Sequence, residues 1–114
     1  MQLHVPEQSA AVFAALGDPT RLRLLSRLGR EERSLSTLAE GAGMSRQAVT
    51  KHLDVLARVG LVHSQRQGRE RLYTATPGPL QDASDWLQSY RQQWEEAFDR
   101  LDEYLQSLPE DPKP

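Results

Sequence analysis

Apolar positions recur along this chain at two different periods, and the change of period divides it. From Gln8 to Leu16, Val12, Phe13 and Leu16 share one side of a short helix that Gly17 ends. Asp18, Pro19 and Thr20 open a second helix with a side-chain acceptor at the N-cap and a proline at the first helical position, where its missing N–H costs nothing. Leu22, Leu25 and Leu28 carry that helix inward, Leu24 adds bulk, and Gly29 ends it. Arg33 to Ser36 reads as a short extended piece. Thr37 to Ala42 makes a turn or two of helix, offering Leu38, Ala39 and Ala42 for packing, and Gly43 follows directly. Val49, Leu53 and Leu56, with Met44 ahead and Val59 behind, then lay one stripe along a helix of about four turns. Ser45 is its expected N-cap and Gly60 its expected stop.

After Gly60 the period shortens to two. Leu61 to Gln65 and Arg71 to Thr76 alternate as two strands, joined across Arg66, Gln67, Gly68, Arg69 and Glu70. Pro77, Gly78 and Pro79 break the chain. Beyond them Leu80, Ala83, Leu87, Tyr90, Trp94, Ala97, Leu101, Tyr104 and Leu108 follow in alternating steps of three and four, with Trp86, Phe98 and Leu105 widening the stripe. This predicts an amphipathic helix of about 40 Å. So long a helix would outrun a domain this small, which predicts a two-fold dimer in which the C-terminal helices meet. A lid over the chain's own core is the competing reading. The last residues, from Pro109, read as a disordered tail.

Composition narrows the picture. At 114 residues the chain holds one modest domain, with no room for a separate cofactor domain. It has no cysteine, which excludes disulfides, thiolate metal sites and thiol redox sensing. No apolar run approaches bilayer length and the start lacks a secretory pattern, so a cytoplasmic protein is expected. The net charge of -2 hides an uneven distribution. Thr20 to Arg71 carries 11 basic and 5 acidic side chains, a balance of +6, whereas Leu72 onward carries 3 basic and 9 acidic ones. A basic middle with an acidic remainder suits a DNA-facing module joined to a different kind of interface.

A small residue at Ala39, a glycine at Gly43 and an aliphatic at Val49 match the spacing of the helix-turn-helix, although an ordinary helical hairpin shares it. The run SRQAVTKHLDVLARVGLV resembles the recognition helix of the ArsR/SmtB family of bacterial repressors. GDPTRLRLLSRL is similar to that family's second helix, at the usual distance upstream. The resemblance implies a mainly α fold with a small antiparallel β-hairpin: a winged helix-turn-helix of five helices with a long C-terminal dimerisation helix. It would form one domain over residues 1–108, with the helix-turn-helix at 37–60, the wing at 61–76, the dimerisation helix at 79–108 and a tail at 109–114. Family members dimerise through their first and last helices, which implies an interface drawing on Val12, Phe13, Leu87, Tyr90, Trp94 and Leu101.

For DNA reading, Gln47 suits an adenine edge, Arg46 guanine or phosphate, Thr50 and Lys51 phosphate or base, and Ser45 phosphate. His52 stands where the family often has a histidine, with a DNA-side role and packing against the wing both open. Arg66 and Arg69 are the wing candidates for backbone or minor groove. For Tyr73 a core position is favoured over contact. Two recognition helices about 34 Å apart would read an imperfect inverted repeat. His4, His52 and His63 lie too far apart along the chain for a nucleophile–base arrangement, so no enzyme is expected. The sequence departs from metal-sensing members in lacking cysteine and any histidine after His63, and no metal site or other cofactor is expected. The acids of the last helix read as its solvated edge, and that helix resembles a non-metal subgroup often encoded beside START-like proteins.

The reading is a homodimeric repressor of its own operon, relieved by a small-molecule or protein effector that the sequence does not name. Tight packing is favoured over a ligand site among Trp86, Tyr90, Trp94 and Phe98. The alternatives are a winged helix whose basic face docks an acidic protein partner and, more remotely, an RNA-binding winged helix. Activation in place of repression would depend on where the site lies.

Overall fold

A computed structural model of the chain describes residues 4–109, so the tail expected from Pro109 lies, beyond that one residue, outside the described residues. The elements are α1 (Glu7–Leu16), α2 (Pro19–Leu28), β1 (Arg33–Ser34), α3 (Leu35–Ala39), α4 (Arg46–Arg58), β2 (Val62–Gln67), β3 (Glu70–Ala75) and α5 (Gly78–Ser107). The architecture is mainly helical with a small antiparallel sheet, as the apolar pattern predicts.

Several boundaries differ from the expectation for identifiable reasons. The extended piece is only Arg33–Ser34, because Ser34 caps the next helix by accepting the Thr37 N–H at 3.1 Å. Helix α3 therefore starts at Leu35 and stops at Ala39, earlier than the expected Thr37 to Ala42. Arg33 and Ser34 also pair with Tyr73 and Leu72, so the sheet has three strands in the order β1-β3-β2 and not the two of a bare hairpin. The hairpin itself is tighter than expected. Pairing runs from Val62↔Ala75 to Gln67↔Glu70, which leaves a two-residue loop of Gly68 and Arg69. Gly68 has φ +64° and Arg69 does not enter the left-handed region, the pattern of hairpin turns in which only the first central residue must be glycine-like.

One core holds these parts together. Val12, Leu24, Leu28, Leu38, Val49, Leu53, Leu56 and Leu61 are all but completely buried, and Tyr73 joins them from the sheet. Burial pushes the Tyr73 phenol above its ordinary pKa. Val12, expected at a dimer interface, has no exposed surface and serves the core of its own subunit; Phe13 is half-buried. Phe13 lies 5.8 Å from the Trp86 ring of α5, and the Trp86 indole N–H donates to the His4 carbonyl at 2.8 Å. These contacts seat α1 on the first half of α5. The second half leaves the body, so the molecule spans 78 × 29 × 21 Å.

Candidate nucleic-acid interface

The turn between α3 and α4 depends on Gly41 and Gly43, both at φ +71°, a conformation that costs an L side chain about 1 kcal/mol or more. The Ser45 hydroxyl then accepts the Ala48 N–H at 3.1 Å and starts α4. With Val49, Leu53 and Leu56 turned into the core, the opposite face of α4 is open. Ser45, Arg46, Gln47 and Lys51 are exposed and Thr50 is half-buried. Gln47 and Lys51 stand one turn apart on that face.

These candidates differ in how free their donors are. The Arg46 guanidinium donates to the Ser36 hydroxyl at 3.2 Å, which ties the start of α4 to α3. The Thr50 hydroxyl donates to the Arg46 carbonyl at 2.9 Å, inside its own helix. Gln47 and Lys51 make no side-chain hydrogen bond among the described residues, so their donors face outward unspent. His52 meets α2. It is half-buried and its Nδ1 lies 3.4 Å from the Arg21 guanidinium of α2, which can only donate, so Nδ1 accepts. The sequence gives no direct sign of this contact, because the two residues lie 31 positions apart.

The basic middle of the sequence is likewise only partly available to a ligand. Arg21 also donates to the carbonyls of Ala14 and Ala15 at the end of α1. Arg27 donates to the carbonyls of Leu38 and Thr37, both at 2.7 Å, and so caps the C-terminus of α3. Arg33 donates to the Arg27 carbonyl and pairs with Glu31 at 3.2 Å. These three arginines hold backbone together. Asp18 caps α2 by accepting the N–H of Thr20 at 2.8 Å and of Arg21 at 3.1 Å. The Arg21 N–H, helped by that of Thr20, keeps the Asp18 carboxyl below its usual pKa.

The wing keeps its charge outside. Arg66 and Arg71 are directly opposite each other across β2 and β3, and Arg69 sits in the loop. Arg71 donates to the Ser64 hydroxyl at 3.0 Å, whereas Arg66 and Arg69 make no side-chain hydrogen bond among the described residues. Like charges directly opposite on one face of a hairpin are destabilising without a counter-ion, and two guanidiniums side by side suit a phosphate. Sequence reading singled out Arg66 and Arg69. It left Arg71 to the sheet and missed the pairing, which depends on the register.

Among the described residues, no group of three His, Cys, Asp or Glu is placed to hold a metal ion, and no helix is long and apolar enough to cross a membrane. A helix-turn-helix domain model matches residues 16–65. The uncharacterized HTH-type transcriptional regulator YuzN of Bacillus subtilis is 38% identical over 88 residues, covering 68% of this chain and 94% of that one. The transcriptional repressor SmtB homolog of Synechocystis sp. is 40% identical over 74 residues, 65% of this chain and 56% of that one. The chain thus spans just over half the length of several curated relatives it matches. The solved structure of an ArsR-like transcriptional regulator from Rhodococcus sp. RHA1 superposes with a TM-score of 0.76 at 38% identity, covering 89% of this chain and 95% of that one. With its winged helix-turn-helix and these relatives, the chain belongs to the ArsR family of DNA-binding transcriptional regulators, which are not enzymes.

Proposed function

We propose that the protein is a cytoplasmic, homodimeric repressor that binds an imperfect inverted repeat in the promoter of its own operon. The observation that carries the reading is the open face of α4, where Gln47 and Lys51 are exposed and make no side-chain hydrogen bond among the described residues. Gln47 reads a base edge in the major groove; Ser45, Arg46, Thr50 and Lys51 fix the helix on the backbone and adjoining bases. Arg66 and Arg69 hold phosphate or minor groove beside it. His52 acts from behind, positioning α4 against Arg21. The dimer reading is supported by the exposed apolar second half of α5, including Trp94 and Leu101, with Leu87 and Tyr90 nearer the body and Phe13 at its edge. Repression follows from occlusion of the promoter. It is relieved by an effector, small molecule or protein, that binds one dimer geometry better than another.

Binding to the native promoter and to a scrambled duplex, each at two salt concentrations, tests the reading. A strong preference for the native duplex, lost in Gln47→Ala, is expected. Equal, salt-labile binding to both duplexes would refute sequence-specific reading. Absence of binding at low salt would leave the basic face to an acidic protein partner.

A further inference from the structure

An open apolar groove of about 340 Å³ lies between α2, the sheet and the start of α5, lined by Leu22, Leu25, Leu61, Ala75, Pro77 and Leu80. Leu22 and Leu80 leave 48% and 39% of their surface in water there. Leu80 also begins an apolar stripe that continues beyond the body: Leu87, Trp94, Phe98, Leu101 and Leu105 are 40–56% exposed. Groove and stripe are therefore one continuous surface.

The stripe is symmetric about Trp94. Leu87 and Leu101 lie seven residues to either side of it, and Leu80 and Leu108 fourteen. Seven residues are close to two helical turns, so all five leucine and tryptophan positions share one face. A two-fold axis through Trp94, perpendicular to the helix, sets Leu87 against the partner's Leu101 and Leu80 against the partner's Leu108, each pair occurring twice. We propose that two α5 helices pack antiparallel in this register, and that the end of each, with Leu105 in its last turn and Leu108 just beyond it, covers the groove of the other subunit. This rests on the dimer reading and specifies its register and the occupant of the groove.

Charge favours the antiparallel sense. After Trp94 the helix carries Glu95, Glu96, Asp99, Asp102 and Glu103 against Arg100 alone. A parallel pair would align those acids with their own copies. The antiparallel pair lays them along the partner's first half, which has two acids and Arg91, and toward the exposed Arg23 of the partner's α2 and Arg30 just after that helix. It also turns the protruding half of α5 from a water-exposed apolar arm into a cover for the partner's body.

The chain has no cysteine, so introduced pairs report without background. The variants Leu87→Cys/Leu101→Cys and Leu80→Cys/Leu108→Cys are oxidised and run on non-reducing gels beside the four single variants, with sedimentation of the unmodified protein. Within one chain positions 80 and 108 are about 42 Å apart at the standard rise, far beyond the reach of a disulfide. Covalent dimers from both double variants and from no single variant are expected. A dimer in sedimentation with neither pair cross-linking overturns the register and leaves the dimer reading standing. Cross-linking at 87/101 alone overturns the second copy as occupant of the groove. A monomer at tens of micromolar overturns the dimer reading itself.

Discussion

Replacing Arg27 with alanine separates arginines that build the fold from those left for a ligand. The guanidinium donates to two backbone carbonyls at the end of α3, Leu38 and Thr37, both at 2.7 Å. Helix α3 has only five residues, so its last carbonyls have little else to satisfy them. Hydrogen bonds from a charged donor contribute about 1.5–3 kcal/mol each; the bond to Thr37 is exposed, so the pair together is set at roughly 2–3 kcal/mol. A domain of this size loses about 4 °C of Tm per kcal/mol, so Arg27→Ala is expected to melt roughly 10 °C lower at fixed protein concentration. The second half of the assay is the dependence of DNA affinity on salt. Each phosphate contact contributes about 0.9 to the slope of log affinity against log salt, and a homodimer loses each contact twice. Arg27→Ala, measured well below its melting point, is expected to keep the slope, and Arg69→Ala to lower it by about 2 with Tm unchanged. An unchanged Tm with a lost slope in Arg27→Ala would show that the guanidinium leaves the backbone for phosphate, and the reasoning would fail.

Three further outcomes follow from the same contacts. Leu53→Ala removes a side chain with no exposed surface and is expected to cost about 3–4 kcal/mol in urea unfolding, with the m-value preserved. Arg66→Glu replaces one member of the like-charged pair with Arg71, so the hairpin gains a few tenths of a kcal/mol while the salt slope for DNA falls; a loss of stability would contradict the register. The Asp18 carboxyl is held below its ordinary pKa of 3.8, so its cap is at full strength above that value and weakens as pH falls through the lowered one. Asp18→Asn keeps an acceptor that does not titrate. Its stability is expected to stay near the parent at neutral pH and to fall less steeply in acid.

Most of the fold could be read from the sequence because local chemistry decides it. Asp18-Pro19-Thr20, Ser45 and the stripe of Val49, Leu53 and Leu56 fix α2 and α4 with side chains that lie within a few residues of their effects. What escaped depends on distant parts of the chain. The strand at Arg33 and Ser34 exists only because Tyr73 and Leu72 offer an edge to pair with, and two residues carry no periodicity of their own. Val12 and Phe13 are neighbours with similar apolar character, yet one is sealed in the core and the other meets Trp86 at the rim. That division depends on how α1 rolls on α5. The candidate interface was legible for Gln47 and Lys51, which are exposed and have no competing side-chain hydrogen bond among the described residues. It was not legible for Arg21, Arg27 and Arg33, whose charge counts the same in a sequence whether it meets phosphate or a carbonyl.

Those three arginines also bear on how a signal would travel. Arg21 holds the end of α1 and touches His52 in α4; Arg27 holds the end of α3; Arg33 bonds the Arg27 carbonyl. Helices α1 to α4 are thereby joined around α2 by charged donors, to backbone carbonyls of α1 and α3 and to the His52 ring of α4, in addition to their shared core. A unit tied at so many points moves as a body more easily than it bends, since each broken contact leaves a carbonyl or a guanidinium without its partner. Helix α1 in turn sits on the first half of α5 through Phe13 and Trp86. A change in how two subunits meet along α5 would therefore reach α4 as a change in the distance and tilt between recognition helices, with each subunit's own fold intact. The free energy available for that change is the effector's difference in affinity for the two arrangements and nothing more.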